Sequence, residues 1–134
     1  MNKLFYALFI ISITVSCGED SKTKKQIAPE KEENLVEMKD GMYIEWYPGK
    51  KQVKFKGPQD ENKKRHGIWK FYSETGNELS YTVYEHGLKT GHTIVKYPNG
   101  TIHYTGEYRD DKAVGVWKIY DPNGKLKSEV NKGQ

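Results

Sequence analysis

The sequence contains one cysteine in 134 residues and few aliphatic side chains. A single cysteine excludes an intramolecular disulfide framework and a zinc site built from cysteines. The net charge is only +4, from 22 basic and 18 acidic residues, which is too small and too mixed to indicate a nucleic-acid-binding protein. Only 35% of the residues are hydrophobic, so the chain has little material for a large buried core.

Aromatic residues are the exception to this polar composition. The chain has ten Tyr, three Trp and four Phe, which make up 13% of its residues. Disordered chains are poor in aromatic residues. A chain of this length suffices for one domain, and we expect that domain to be held together by aromatic contacts.

The longest apolar run lies at the N-terminus. After the positive start Met1-Asn2-Lys3, residues 4–15 read LFYALFIISITV and carry no charge. As a helix this run would extend about 18 Å, well short of the roughly 30 Å hydrocarbon core of a bilayer. It is typical of the apolar region of a secretory signal.

The only cysteine, Cys17, follows this run directly. Residues 14–17, TVSC, resemble the cleavage site of a bacterial lipoprotein signal. The resemblance implies that residues 1–16 are a signal peptide and that a lipid such as palmitate on Cys17 anchors the protein in the membrane. An ordinary cleaved signal with an unmodified thiol is the alternative. Gly18 after the cysteine implies an outer-membrane lipoprotein, either periplasmic or surface-exposed.

Residues 17–40 are expected to be a disordered tether. From residue 18 to residue 40 the chain has charges of both signs and no aromatic residue. Such a segment cannot bury enough apolar surface to offset its ordering entropy, and residues 32–38 would form at most a helical turn.

From Gly41 to residue 134 the chain repeats itself. Lines that start at Gly41, Gly67, Gly91 and Gly115 are spaced by 26, 24 and 24 residues. Each line has an aromatic and β-branched run, a turn, and a second alternating run, which is the pattern of a β-hairpin. We therefore expect an all-β domain, a single-layer, twisted antiparallel meander of repeated hairpins with about seven or eight strands.

The turns of this meander can also be anticipated. Asn99-Gly100 and Asn123-Gly124 lie between alternating runs, and Asn-Gly favours tight turns in which both residues have positive φ. The first and third lines carry one more residue than the others between the leading glycine and the turn. This extra residue predicts a β-bulge in those two lines.

Two motifs are similar to those of a known family. Residues 104–108, YTGEY, followed by Lys112 and Gly115, resemble a MORN repeat. Residues 115–124, GVWKIYDPNG, resemble its bacterial variant, which is often grouped as YwqK antitoxin-like. The resemblance covers residues 41–134 and implies a repeat scaffold, which does not by itself entail a function.

Candidate catalytic chemistry is weak. The four histidines, His66, His86, His92 and His103, have no metal-ligand spacing, and no serine lies in a nucleophile motif. We therefore predict no enzyme activity, no metal site and no cofactor.

A non-catalytic binding surface is the remaining expectation, with exposed aromatic residues as its anchors. The predicted binding face consists of Trp46, Tyr47, Trp69, Tyr72, Tyr97, Tyr108, Trp117 and Tyr120. The first line also holds a predicted basic patch, consisting of Lys50, Lys51, Lys54, Lys56, Lys63, Lys64 and Arg65. That patch is either a lysine-rich solubilising edge strand or a surface for an anionic partner.

The sequence thus favours a lipid-anchored envelope protein whose repeat domain is a scaffold for an unknown protein partner. Two alternatives stay open: an immunity or antitoxin-like protein that neutralises a cognate toxin, and a binder of envelope glycan or anionic lipid.

Overall fold

A computed structural model describes residues 33–133 of the chain. The predicted signal peptide, the predicted lipidation site Cys17 and most of the predicted tether lie outside these residues. The described part consists of nine β-strands and their connections. They are β1 (Val36–Lys39), β2 (Met42–Trp46), β3 (Val53–Pro58), β4 (Gly67–Tyr72), β5 (Glu78–Glu85), β6 (Leu88–Lys96), β7 (Ile102–Arg109), β8 (Lys112–Tyr120) and β9 (Leu126–Asn131). No helix capable of spanning a membrane is found among the residues described.

Each strand pairs antiparallel with the next, so the sheet order is β1 to β9 without a crossover. The predicted all-β antiparallel meander is confirmed, with nine strands in place of seven or eight. The additional strand is β1, which lies in the segment expected to be tether or helical turn. The edge of β2 pairs with Val36–Lys39, and the amide of Trp46 donates to the carbonyl of Leu35 at 2.8 Å. The hydrogen bonds to β2 order residues 35–39, a segment whose composition alone would not favour a strand.

The hairpin turns at one end of the sheet are longer than the tight turns expected from Asn-Gly. In the β6–β7 turn the amide of Gly100 donates to the carbonyl of Tyr97 at 2.9 Å, and Gly100 alone has positive φ. This is a type I turn followed by a glycine bulge, so the prediction of positive φ at Asn99 and Asn123 is wrong.

The strand register shifts beside the long turn in all four of these hairpins. The predicted bulge is therefore not restricted to the first and third lines of the repeat. The shifts fall at Glu45/Trp46, Phe71/Tyr72, Val95/Lys96 and Ile119/Tyr120.

The turns at the other end of the sheet are mostly tight. Asp40-Gly41, His86-Gly87 and Asp110-Asp111 each connect two strands with positive φ at both residues. That conformation is the type I′ turn, whose twist matches the twist of the flanking strands. The exception is the loop of residues 59–66 between β3 and β4, which is longer.

A single row of residues crosses the whole sheet on one face and carries most of its burial. The register places one residue of each strand in this central row. Its members from β1 to β9 are Met38, Tyr43, Gly57, Trp69, Thr82, Thr93, Gly106, Trp117 and Val130. Thr82 and Thr93 are buried, and their hydroxyl oxygens lie 2.8 Å apart. The face that holds this row is called the aromatic face below.

Each tryptophan of the central row lies directly over a glycine of the neighbouring strand. A Cβ atom on Gly57 would lie 2.4 Å from Cγ of Trp69, and one on Gly106 would lie 2.3 Å from Cδ2 of Trp117. No side chain fits in either place. The indole N–H of Trp69 donates to the carbonyl of Pro58 at 2.8 Å, which fixes the ring in this position.

Substitution of Gly57 by alanine should destabilise the sheet by about 1–3 kcal/mol, because overpacking displaces a fully buried indole. Gly106→Ala should cost less, because Trp117 is only half-buried and can move outwards. Urea unfolding followed by circular dichroism measures both effects. Ser128→Ala, on the exposed strand β9, serves as the control. Equal midpoints for Gly57→Ala and Ser128→Ala would contradict the packing described.

Candidate binding surface

The aromatic face carries a closed cluster of rings over strands β2 to β5, called cluster one. Its members are Tyr43, Phe55, Trp69, Phe71 and Tyr84. Trp69 lies at the centre, with ring centroids 5.6 Å from Tyr43, 6.0 Å from Phe55 and 6.4 Å from Tyr84. Only 1% of Trp69 is exposed, which is unusual for a residue on the face of a single-layer sheet. The rings of cluster one therefore take the place of a second layer.

Arg65 covers cluster one from the solvent side. Its guanidinium carbon lies 4.5 Å from the ring centre of Trp69 and between 5.3 and 5.6 Å from the rings of Phe55, Phe71 and Tyr84. A guanidinium over several ring faces is attracted by their quadrupoles and keeps its own N–H groups available for hydrogen bonds. One of them donates to the hydroxyl of Tyr84 at 3.3 Å. The solvent side of cluster one is thus covered by the side chain of Arg65.

The loop of residues 59–66 holds Arg65 in place. The carbonyl of Arg65 accepts from the amide of Gly87 at 2.8 Å. Within the loop, Oδ1 of Asp60 accepts from the amides of Asn62 and Lys64, each at 2.9 Å, and Oδ2 lies 2.8 Å from Nδ1 of His86. These bonds, above all the one to His86, lower the pKa of Asp60.

A second cluster, called cluster two, lies over strands β7 and β8 on the same face. Tyr104, Tyr108 and Trp117 form it, with Trp117 5.8 Å from Tyr104 and 5.0 Å from Tyr108 between ring centroids. Burial raises the pKa of Tyr104. Nζ of Lys89 lies 4.9 Å from the ring centre of Tyr108. Cluster two is less enclosed than cluster one, since Trp117 is only half-buried.

The opposite face of the sheet is called the mixed face, because lysines alternate there with aliphatic residues. Glu78 lies between Lys70 and Lys96, with both Nζ atoms 3.0 Å from its carboxylate oxygens. Hydrogen bonds from these two lysines lower the pKa of Glu78. The exposed side chains of Ile68 and Val116 lie on this face, so both faces of the sheet offer apolar area to solvent.

The predicted binding face does not form one surface. Strand alternation places Trp69, Tyr108 and Trp117 on the aromatic face, and Trp46, Tyr72 and Tyr120 on the mixed face. Tyr47 and Tyr97 lie at the hairpin ends, where their hydroxyls donate to the carbonyls of Tyr72 and Tyr120 at 2.9 Å. The prediction is wrong for Trp69, which is buried beneath Arg65. Sequence repetition matched these residues along the chain but did not show which side of the sheet each one occupies.

The predicted basic patch is divided in the same way. Lys50 and Lys51 lie in the β2–β3 turn, whereas residues 63–65 lie at the other end of β3, about 20 Å away. Lys54 and Lys56 lie on β3, where Nζ of Lys54 is 2.9 Å from Glu45. Strand β3 is the third strand of the sheet, so the interpretation as a lysine-rich edge strand is also wrong. Arg65 belongs to cluster one rather than to a basic surface.

His66, His86 and His92 are exposed, whereas His103 is half-buried on strand β7. His86 lies in the β5–β6 turn, where it pairs with Asp60, and its ring lies 5.2 Å from that of His66. The ring of His103 packs 4.4 Å from that of Tyr97. Across residues 33–133 no group of three or more His, Cys, Asp or Glu side chains is placed to hold a metal ion.

The bonds to Asp60 predict a pH dependence of stability. Because folding lowers its pKa, the ionised Asp60 stabilises the fold at neutral pH, and this contribution is lost as pH falls below the unfolded value of about 3.9 and through the lower folded pKa. Asp60→Asn should therefore lower the urea midpoint at pH 7, and the difference from the unsubstituted chain should shrink with acidification. Glu61→Gln, at an exposed neighbour, is the control. A difference that persists unchanged at pH 2 would contradict this assignment.

Comparison with protein families agrees with this architecture. Residues 65–86, 89–110 and 113–131 each match the family model of the MORN repeat variant. Each matched segment covers one hairpin, namely β4–β5, β6–β7 or β8–β9, except that the first residues of β6 and β8 lie just outside the match. No curated protein shows significant similarity to the chain. The chain therefore belongs to the MORN-repeat family, through three repeats of its variant between residues 65 and 131.

Proposed function

We propose that this protein is a non-catalytic, lipid-anchored scaffold of the bacterial envelope whose MORN-repeat sheet binds a partner protein. The observation that carries the proposal is the exposure of both faces of a single-layer sheet. In the described part the buried apolar side chains are Trp69, Tyr84 and Val114 alone, whereas many large apolar residues are exposed. Partly exposed aromatic rings are among the groups that dominate protein interfaces, and the exposed aliphatic side chains beside them add apolar contact area.

The lipid anchor is the second part of the proposal, and it is supported by sequence alone. The residues around Cys17 resemble a lipoprotein signal, and eighteen residues, thirteen of them charged or polar, lie between Cys17 and the first strand. A flexible segment of that length would hold the sheet roughly 25 Å from an outer-membrane surface. Such a spacing leaves both faces of the sheet free for a partner.

A toxin is one candidate for the partner, since residues 115–124 resemble the bacterial repeat variant grouped as YwqK antitoxin-like. The same two faces would then bind the toxin as an immunity protein does, without any catalytic group.

The anchor predicts that radiolabelled palmitate is incorporated into the protein in growing cells and that Cys17→Ala abolishes the label. Immunoprecipitation followed by autoradiography measures both. Ser16→Ala, which keeps a small residue before the cysteine, should remain labelled and is the control. Equal labelling of the unsubstituted chain and Cys17→Ala would contradict the anchor.

Partner binding predicts a discrete cross-linked species in living cells. A photoreactive phenylalanine analogue is placed at Tyr108 on the aromatic face, at Tyr81 on the mixed face, or at Asn123 in the β8–β9 turn. We expect at least one face position to capture a protein of defined mass and the turn position to capture none. A smear of equal intensity from all three positions, or no product from either face, would contradict the scaffold.

A further inference from the structure

Clusters one and two occupy equivalent places in the repeat, but their composition differs. Trp117 corresponds to Trp69, 48 residues earlier, and each lies over a glycine of the preceding strand. Arg65 stands two residues before Gly67, and the equivalent residue before Gly115 is Ala113. In cluster two, therefore, no side chain of residues 33–133 takes the place of the guanidinium that covers Trp69.

This difference leaves an apolar groove in front of Trp117. The groove has a volume of about 320 Å³. It is lined by Tyr104, Tyr108, Ala113, Trp117, Ile119, Val130 and Lys132. Ala113 forms its wall at the place where cluster one holds Arg65, and Lys132 is the single charged lining residue.

The groove continues into a basic cleft at the β7–β8 turn. Ala113 and Lys132 line both cavities, and the cleft adds Arg109, Lys112 and Asp110, with a volume of about 390 Å³. Three cationic side chains thus face one carboxylate. Lys89, which lies against Tyr108, adds another positive charge at the side of the groove.

We propose that this groove is the docking site of the scaffold for an acidic segment of the partner protein. The segment places one apolar or aromatic side chain against Trp117 and its carboxylates beside Lys132 and the basic cleft. The inference rests on the proposed function, because it names the site and the chemistry of the partner that the scaffold binds.

Two observations favour a peptide over other occupants. In cluster one the equivalent place against the indole is filled by a side chain of a polypeptide, so the repeat geometry accepts a peptide side chain there. The charge pattern is complementary to an acidic segment, because cations surround the apolar groove on the side where a peptide would continue. An arginine from a partner, which would copy Arg65, is disfavoured by these same cations.

The test uses the full chain and a fluorescein-labelled synthetic peptide with one phenylalanine flanked by glutamates. Fluorescence polarisation should show saturable binding. Replacement of the phenylalanine by alanine, or of the glutamates by lysines, should abolish it. Ala113→Arg should weaken binding by at least about tenfold, because the new guanidinium fills the groove as Arg65 fills cluster one.

Charge variants provide a matched comparison that leaves the packing of the groove intact. Lys132→Glu, at an exposed position, should weaken binding of the acidic peptide about three- to fivefold. Lys50→Glu makes the same change of charge in the distant β2–β3 turn and should have no effect. Circular dichroism and the urea midpoint confirm that each variant is folded.

Several outcomes would overturn the proposal. These are no binding of the acidic peptide, equal loss in Lys132→Glu and Lys50→Glu, or binding that survives Ala113→Arg. Sedimentation with phosphatidylglycerol vesicles that depends on Lys132 while the peptide fails to bind would assign the groove to lipid instead. Cross-linking in cells from Tyr81 that persists in Ala113→Arg would leave the scaffold function standing and reject this groove as its docking site.

Discussion

The contact between an indole ring and the bare backbone of the next strand is the interaction on which the rest of the sheet depends. A single-layer sheet has no second layer to exclude water, so it must build its core within one face. The glycines at positions 57 and 106 let Trp69 and Trp117 lie flat over β3 and β7. Thr82 and Thr93 continue the row between them with a buried hydroxyl pair. The array therefore folds around one line of side chains that runs across the strands.

This line explains why the repeat has a longer period of two units. Each indole of the row lies over a glycine of the preceding strand, whereas at the intermediate unit the preceding strand carries Thr82, whose side chain leaves no room for an indole at position 93. Trp69 and Trp117 are consequently 48 residues apart, with a threonine at the intermediate position. The two units that carry tryptophan can then diverge in what covers the ring, as Arg65 and Ala113 do, without any change in the sheet below. The central row stabilises the sheet, so the residues that cover its tryptophans can differ between units and can take part in binding.

Much of the fold follows from the sequence, whereas much of the surface does not. The spacing of the leading glycines and the alternation around Trp69 and Trp117 predicted the strands, their order and their pairing. Strand β1 was missed because its stability comes from the edge of β2 and not from its own composition. The division of the aromatic residues between two faces depends on register shifts at each long turn, and a shift of one residue reverses every side chain. The position of Arg65 depends on the path of an irregular loop, for which the repeat gives no template.

Because both faces of the sheet are accessible to solvent, little aromatic area is buried to stabilise the fold, but much of it is available for binding a partner. A layered protein buries most of its aromatic area in its own core, but among the aromatic side chains of residues 33–133 only Trp69 and Tyr84 are buried. Cluster one closes over itself and uses an arginine to do so, which secures the N-terminal half of the sheet. Cluster two leaves its tryptophan half-open beside a group of cations, in the part of the chain that matches the MORN repeat variant. Because the same geometry supports both arrangements, one repeat can stabilise the array while its counterpart keeps a contact surface available.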